Sequence, residues 1–208
     1  MRLTKRLLAV LLMVCMVFSM LPAAVLTASA ADTTATWQLV TELADITAGD
    51  SYLILTPTYK AYNGKVSSGH LQTDTTAAVL SGTTFTSVPA GAVEVTFEST
   101  GTDNTYLLKD ANGKYITATK ASSGNFSPAT SDTYGWKFTA SGTNSFDAQY
   151  QANGKAYFRA YKGSSFRSYG NKTGDPIYLA KKAASYTVTA SASPAAGGTV
   201  TVSSNTII

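Results

Sequence analysis

The chain predicts an all-β protein, and three observations carry that prediction. Short runs of four to six β-branched or aromatic residues recur along it, separated by clusters of Gly, Asn, Asp and Ser, the pattern of strands joined by tight turns. No stretch keeps a helical period. Leu39 to Leu43 comes nearest, but Thr47-Ala48-Gly49-Asp50 soon ends it, so it reads as a strand followed by a turn. One plan also recurs. Asn-Gly-Lys stands at 63–65, 112–114 and 153–155, spaced 49 and 41 residues apart. A tight hairpin needs residues that tolerate positive φ, and Asn followed by Gly does so at little cost.

The first element is a leader. Arg2, Lys5 and Arg6 precede an almost wholly apolar run from Leu7 to Met20, and Ala28-Ser29-Ala30 offers small residues for cleavage. Residues 1–30 read as a secretory signal peptide rather than a membrane anchor, and a secreted or cell-surface location follows. Cleavage removes Cys15, the only cysteine, and with it any disulfide, thiol nucleophile or thiolate metal site. It also removes three of the sixteen Lys and Arg, while all twelve Asp and Glu lie downstream. The remaining net charge of about +1 does not suggest a nucleic-acid-binding surface. No further span of the membrane is expected.

Residues 31–36 form a short lead-in, and three strand-rich lobes are expected at about 37–92, 93–135 and 136–182. The first pairs W-Q-L-V (Trp37–Val40) with Y-L-I-L (Tyr52–Leu55). The second pairs V-E-V-T-F (Val93–Phe97) with Y-L-L-K (Tyr106–Lys109). The third runs from W-K-F-T at Trp136 through S-F-D-A-Q-Y, A-Y-F-R-A-Y and F-R-S-Y to I-Y-L-A. In Val93–Phe97 apolar and polar residues alternate, as in a half-buried strand. In Asp110-Ala111-Asn112-Gly113-Lys114 the Asp is placed to hydrogen-bond its own turn. Calcium-loop spacing is not met, because with Asp110 counted as first Gly113 is fourth and Ala121 twelfth. Three four-strand units between Trp37 and Lys181 suit a β-trefoil-like three-lobed barrel, with a β-sandwich as the alternative. The aromatic residues opening the lobes and the apolar residues of each second strand are expected to share one core.

Chemistry is sparse. The sole histidine, His70, reads as a surface or packing residue, and one histidine without cysteine makes no ordinary zinc site. Glu94 and Glu98 share a strand face but would lie about 13 Å apart, too far for a glycosidase pair. No phosphate loop, serine elbow or metal motif is present. No catalytic residue, metal or cofactor is expected. Binding is the livelier possibility. Tyr157, Phe158, Arg159, Tyr161, Phe166, Arg167 and Tyr169 fall within 13 residues. Alternation puts Tyr157, Arg159 and Tyr161 on one face and Phe158 on the other. Flat rings beside Arg suit a sugar or another polar ligand. Tyr157, Arg159, Tyr161, Arg167 and Tyr169 are therefore the expected ligand-binding residues. The plainer alternative is core aromatics with surface tyrosines. Stacking on single-stranded nucleic acid would want a basic groove, and only Arg159, Lys162, Arg167 and Lys172 are nearby.

W-Q-L-V-T-E-L-A-D-I-T-A-G-D-S-Y-L-I-L, K-D-A-N-G-K-Y-I-T-A and F-R-S-Y-G-N-K-T-G-D-P-I-Y-L-A-K-K together resemble an uncharacterised module of secreted and cell-surface proteins of Firmicutes and Bacteroidetes, over residues 37–182. The resemblance carries no catalytic residues. The Gln-x-Trp signature of ricin-type sugar-binding trefoils is missing. Residues 183–208 form a linker and Y-T-V-T-A-S-A-S-P-A-A-G-G-T-V-T-V, which is similar to the opening of an internalin-type surface repeat. That repeat stops short, as expected of a truncated gene or a fragment, or of a natural short tail. The expected function is a non-catalytic extracellular module binding glycans or mediating adhesion. A structural spacer is the second reading, and an accessory domain of a hydrolase the third.

Overall fold

The computed structural model describes residues 35–119, 125–152 and 156–183. The expected signal peptide, the C-terminal repeat and the turn at 153–155 lie outside these residues.

Thirteen strands account for the described chain. They are β1 (Thr36–Leu39), β2 (Ser51–Leu55), β3 (Tyr62–Ser67), β4 (His70–Thr73), β5 (Val79–Ser81), β6 (Thr84–Ser87), β7 (Val95–Ser99), β8 (Thr105–Asp110), β9 (Trp136–Gly142), β10 (Ser145–Tyr150), β11 (Tyr157–Tyr161), β12 (Ser165–Tyr169) and β13 (Tyr178–Ala183). A single 3-10 turn, Leu43–Asp45, interrupts them, and no α-helix occurs among the described residues. The strand expected over Leu39–Leu43 ends already at Leu39, and the 3-10 turn takes up Leu43. The turn expected at Thr47-Ala48-Gly49-Asp50 forms at Ala48 and Gly49, with Gly49 at φ +91°. The Glu42 backbone N–H donates to the Asp45 carboxylate at 3.2 Å and closes the 3-10 turn. The all-β class is thus as the sequence predicts.

The strands form one antiparallel sheet in the order β3-β4-β12-β11-β10-β9-β8-β7-β2-β13-β1-β6-β5. Its ladders leave it open, with β3 and β5 at the two ends, and do not close a barrel. Side chains alternate across β7, where Val95 and Phe97 are buried and Thr96 and Glu98 are not. Strands β8, β9 and β12 repeat the alternation with Tyr106 and Leu108, Trp136 and Phe138, and Phe166 and Ser168 turned inward.

Inward residues make two apolar clusters rather than one. The larger holds Tyr52, Ile54, Phe97, Trp136, Phe138, Phe146, Phe158, Phe166 and Leu179 among others. Trp136 is its centre. Its ring lies 4.9 Å from Tyr150, 5.3 Å from Phe158 and 5.8 Å from Phe126, and its indole N–H donates to the Ile116 carbonyl at 2.6 Å. That bond satisfies the one polar atom of a fully buried ring. The smaller cluster gathers Trp37, Leu39, Leu53, Leu55, Phe85 and Ala180. Trp37 therefore does not share the core of Trp136. The reason is topological: β1 pairs with β13 and β6, and β13 stands between β1 and β2.

The Asn-Gly-Lys turns divide. At 110–114 the expected turn forms. The Asp110 carboxylate accepts from the backbone N–H groups of Asn112 (2.9 Å) and Lys114 (3.0 Å), and Gly113 has φ +76°. At 63–65 the tripeptide is not a hairpin turn. It lies inside β3, where the register against β4 shifts between Tyr62 and Val66. Such a bulge also suits a glycine at positive φ, and Gly64 has φ +77°. The turn comparable to 110–114 is Thr56–Lys60, where the Thr56 N–H donates to the Lys60 carbonyl at 3.0 Å and Tyr59 takes φ +56°.

Gly135 and Gly113 separate two effects of a side chain at positive φ. A Cβ at Gly135 (φ +71°) would sit 2.8 Å from the Tyr106 carbonyl oxygen, whereas at Gly113 it would meet nothing within 4 Å. Gly113→Ala is expected to cost about 1–2 kcal/mol, the left-handed backbone alone. Gly135→Ala adds overpacking against a fixed backbone, for a total of about 2–5 kcal/mol. Urea unfolding of the two variants measures the difference.

Candidate functional site

Four neighbouring strands, β10, β11, β12 and β4, build one outward face. Register places Tyr157 opposite Gln149 on one side and Tyr169 on the other. Arg159 stands opposite Arg167, and Tyr161 opposite Ser165. Ser165 in turn pairs with Gln72 of β4, which brings His70 alongside Arg167. The opposite faces of the same strands carry Phe158, Phe166 and Leu71, all fully buried. Period-2 alternation therefore sorts β11 as the sequence predicts, with Phe158 on one face and Tyr157, Arg159 and Tyr161 on the other.

The five expected ligand-binding residues share the face but not the same surroundings. Tyr157, Tyr161, Arg167 and Tyr169 are partly exposed. Arg159 is only 4% exposed, and it is occupied. One guanidinium nitrogen bonds the Asp147 carboxylate, and another donates to the Gly174 carbonyl at 2.8 Å. Asp147, itself buried, also receives Lys172 Nζ at 2.5 Å. Arg159 is thus a brace beneath the face rather than a free donor upon it. A buried charge needs a partner, and Asp147 supplies it.

Arg167 differs. Its guanidinium carbon lies 3.6 Å above the centre of the Tyr161 ring, and one terminal nitrogen makes a long 3.4 Å bond to the Tyr169 hydroxyl. It forms no ion pair among the described residues, and its Nε–H is covered and without a hydrogen-bond partner. Lys162 Nζ lies 5.2 Å from the same Tyr161 ring, and Lys172 Nζ lies 5.7 Å from the Tyr157 ring. The Tyr161 and Tyr169 rings are 6.5 Å apart and tilted by 53°. His70 has its pKa lowered, first by burial and then by the positive charge of Arg167, so the imidazole is neutral at neutral pH.

Asp147 is the residue that sequence reasoning missed. The signal was present. An acid between Phe146 and Ala148, in the middle of a strand, must find a cation or remain unpaired in the interior. Which cation it finds depends on the register of β10 against β11.

Glu94 and Glu98 are separately engaged. Glu94 pairs with Lys182 at 3.0 Å, and Glu98 with Lys109 at 3.6 Å and the Tyr115 hydroxyl at 2.9 Å. No group of three or more His, Cys, Asp or Glu able to hold a metal occurs among the described residues. A shallow cleft of about 460 Å³ lies between Ile46–Ala48 and Ser99–Tyr106. Its lining includes Asp103 but no cation. No helix among the described residues is long and apolar enough to cross a membrane.

Asp147 has a lowered pKa. Burial alone would raise it, but hydrogen bonds from Lys172 and Ser141 and the charges of Arg159 and Lys172 outweigh burial. Because the folded value lies below the unfolded one, the stabilisation is present above the unfolded value, about pH 4. It is lost as pH falls through the folded value. Asp147→Asn leaves Arg159 buried without its counter-charge and is expected to cost about 3–5 kcal/mol at neutral pH. The gap from wild type should narrow below about pH 4. Chemical unfolding across pH 2–7 checks both, and a gap that stays constant would remove Asp147 as the cause.

No protein-family model matches the chain, and no curated protein is significantly similar to it.

Proposed function

We propose that the described domain is a β-trefoil-like, three-lobed barrel of an exported protein, and that it acts as a non-catalytic module for glycan binding or adhesion. Three short contacts of one kind support the barrel. Ser51 and Tyr52 pair with Thr96 and Val95, Thr105 and Tyr106 pair with Lys137 and Trp136, and Phe146 bridges to Ile177. The last is a single bridge with hydrogen bonds of 2.8 and 3.0 Å. These contacts alternate with the longer β7–β8, β9–β10 and β13–β2 ladders. Together they trace a ring, β2-β7-β8-β9-β10-β13, in which the Phe146–Ile177 bridge is the closing link. Hairpins β3–β4 and β11–β12, and the bridged segment 115–129, fall between ring strands. On this reading the lobes run 51–99, 105–142 and 145–183, one strand out of phase with 37–92, 93–135 and 136–182. Strands β1, β5 and β6 are then additions.

The binding reading rests on one observation. Arg167 lies on Tyr161 beside Tyr169, partly exposed, with no carboxylate partner among the described residues. Arg159, by contrast, spends both terminal nitrogens within the protein, on Asp147 and the Gly174 carbonyl, although its Nε–H, like that of Arg167, is covered and without a partner. Tyrosine rings and an unspent donor fork together suit a hydroxylated ligand of moderate affinity. A face built on four neighbouring strands fits a polymer lying across it better than a small molecule enclosed by it.

A glycan array probed with the purified chain tests this reading, with a Tyr161→Ala/Tyr169→Ala double variant alongside. The expected result is selective binding that falls about tenfold or more in the variant, for a loss of about 1.4 kcal/mol or more. The circular dichroism spectrum should be unchanged. No binding to any glycan would reject the reading in favour of a spacer.

A further inference from the structure

The same face has a charge imbalance that bears on which glycan it takes. Arg159, Lys162, Arg167 and Lys172 lie on the hairpin or against its rings. Asp147 neutralises Arg159 and is shared with Lys172. Two further acids stand near the hairpin: Asp74, which follows Thr73 at the end of β4 and has a covered Oδ2 without a partner, and Asp175, whose backbone pairs with Ala160. Neither makes an ion pair with these cations among the described residues. Cations therefore outnumber carboxylates, and the excess sits on the exposed side, at Lys162 and Arg167. His70 is neutral and adds no charge of its own.

We infer that the ligand is an anionic glycan, bearing carboxylate or sulfate groups, with Arg167 as the principal oxyanion contact and Lys162 and Lys172 flanking it. This inference rests on the glycan-binding reading above. Two features of Arg167 support it. Stacking on Tyr161 occupies a face of the guanidinium, and with Nε–H covered the donors left for a ligand are those of the terminal nitrogens, one of which makes only the long bond to Tyr169. Those donors are what take an oxyanion, bidentately and with charge assistance. The stack also covers one face of the Tyr161 ring. That disfavours both a neutral sugar stacked there and an unstacked base, and so favours a contact through charge.

The second feature is a cost. Arg159 and Arg167 are directly opposed across β11 and β12, and like charges in that relation destabilise a sheet. The Asp147 carboxylate relieves Arg159 only. Replacing Arg167 by a neutral residue of similar length should leave the fold as stable or make it more so. A residue whose removal does not weaken the fold but abolishes binding is present for the ligand.

Four immobilised polymers test the inference against the purified chain: a neutral β-glucan, a polyuronate, a sulfated galactan and a single-stranded oligonucleotide. Each is run at low and at moderate salt, with Arg167→Gln and Arg167→Lys in parallel. The expected result is preference for the polyuronate or the sulfated polymer, weakened by salt. Binding should fall at least tenfold in Arg167→Gln and by less in Arg167→Lys. The Arg167→Gln unfolding midpoint should be equal to or above wild type. The polyuronate and sulfated arms tell the two oxyanions apart. Equal or better binding to the neutral glucan overturns the inference while leaving the glycan reading intact. Preference for the oligonucleotide overturns it in favour of a nucleic-acid surface. Anionic binding unchanged in Arg167→Gln removes Arg167 from the site. Failure to bind any of the glycans overturns the reading on which the inference rests.

Discussion

Trp136 is the contact on which the rest of the domain depends. Its ring touches Phe126, Tyr150 and Phe158, and its indole N–H reaches the Ile116 carbonyl. One side chain thus joins β9 to β10, to β11 and to both arms of the bridged segment 115–129. Phe97, Tyr106 and Phe138 extend the aromatic packing to β7 and β8 through ring distances of 5.3–6.0 Å. Burial on this scale is the dominant favourable term in folding. Here it also does something local. It fixes the inner face of β11 and β12 through Phe158 and Phe166, and so fixes which side chains turn outward.

The outer face then divides its two arginines between two roles. Arg159 is drawn down by Asp147 and the Gly174 carbonyl and holds the Gly174 segment against β11. Arg167 is left with a tyrosine beneath it and little else. The difference is one of supply. Asp147 is a single carboxylate, and Arg159 and Lys172 already use it. A second acid opposite Arg167 would have closed the face into an internal ion-pair network. Without one among the described residues, its terminal nitrogens make only the long bond to Tyr169, and the proposed oxyanion contact follows from that.

The repeated turns show how similar sequences reach different conformations. At Asp110 the carboxylate bonds two backbone N–H groups and makes the turn self-contained. At Asn63 the same tripeptide has a shorter role. The Asn63 side chain accepts from the Lys65 N–H at 3.1 Å and donates to the Thr73 carbonyl at 2.9 Å, which ties the bulge of β3 to β4. The neighbouring turn at Thr56–Lys60 uses Tyr59 at positive φ. An aromatic residue there carries a backbone cost, and its ring packs edge-on against Phe85 and Tyr178. Tertiary packing holds a conformation that its residue type disfavours.

What the sequence determined by itself was everything set by nearest neighbours. Strand alternation separated Phe158 from Tyr157, Arg159 and Tyr161, because successive side chains must point to opposite faces. Asp110 and Gly113 specified their turn, because an Asx bond and a positive φ are local. The all-β class followed from the same rules. The tertiary structure alone decided what depends on pairing between distant strands. It set β13 between β1 and β2, which moved Trp37 into a second cluster. It set β10 in register with β11, which turned Arg159 from a free donor into a buried brace. It also left Arg167 without an acid among the described residues. Each of these rests on which strand lies next to which, and hydrogen-bonded registers between residues tens of positions apart leave little trace in the order of the residues themselves.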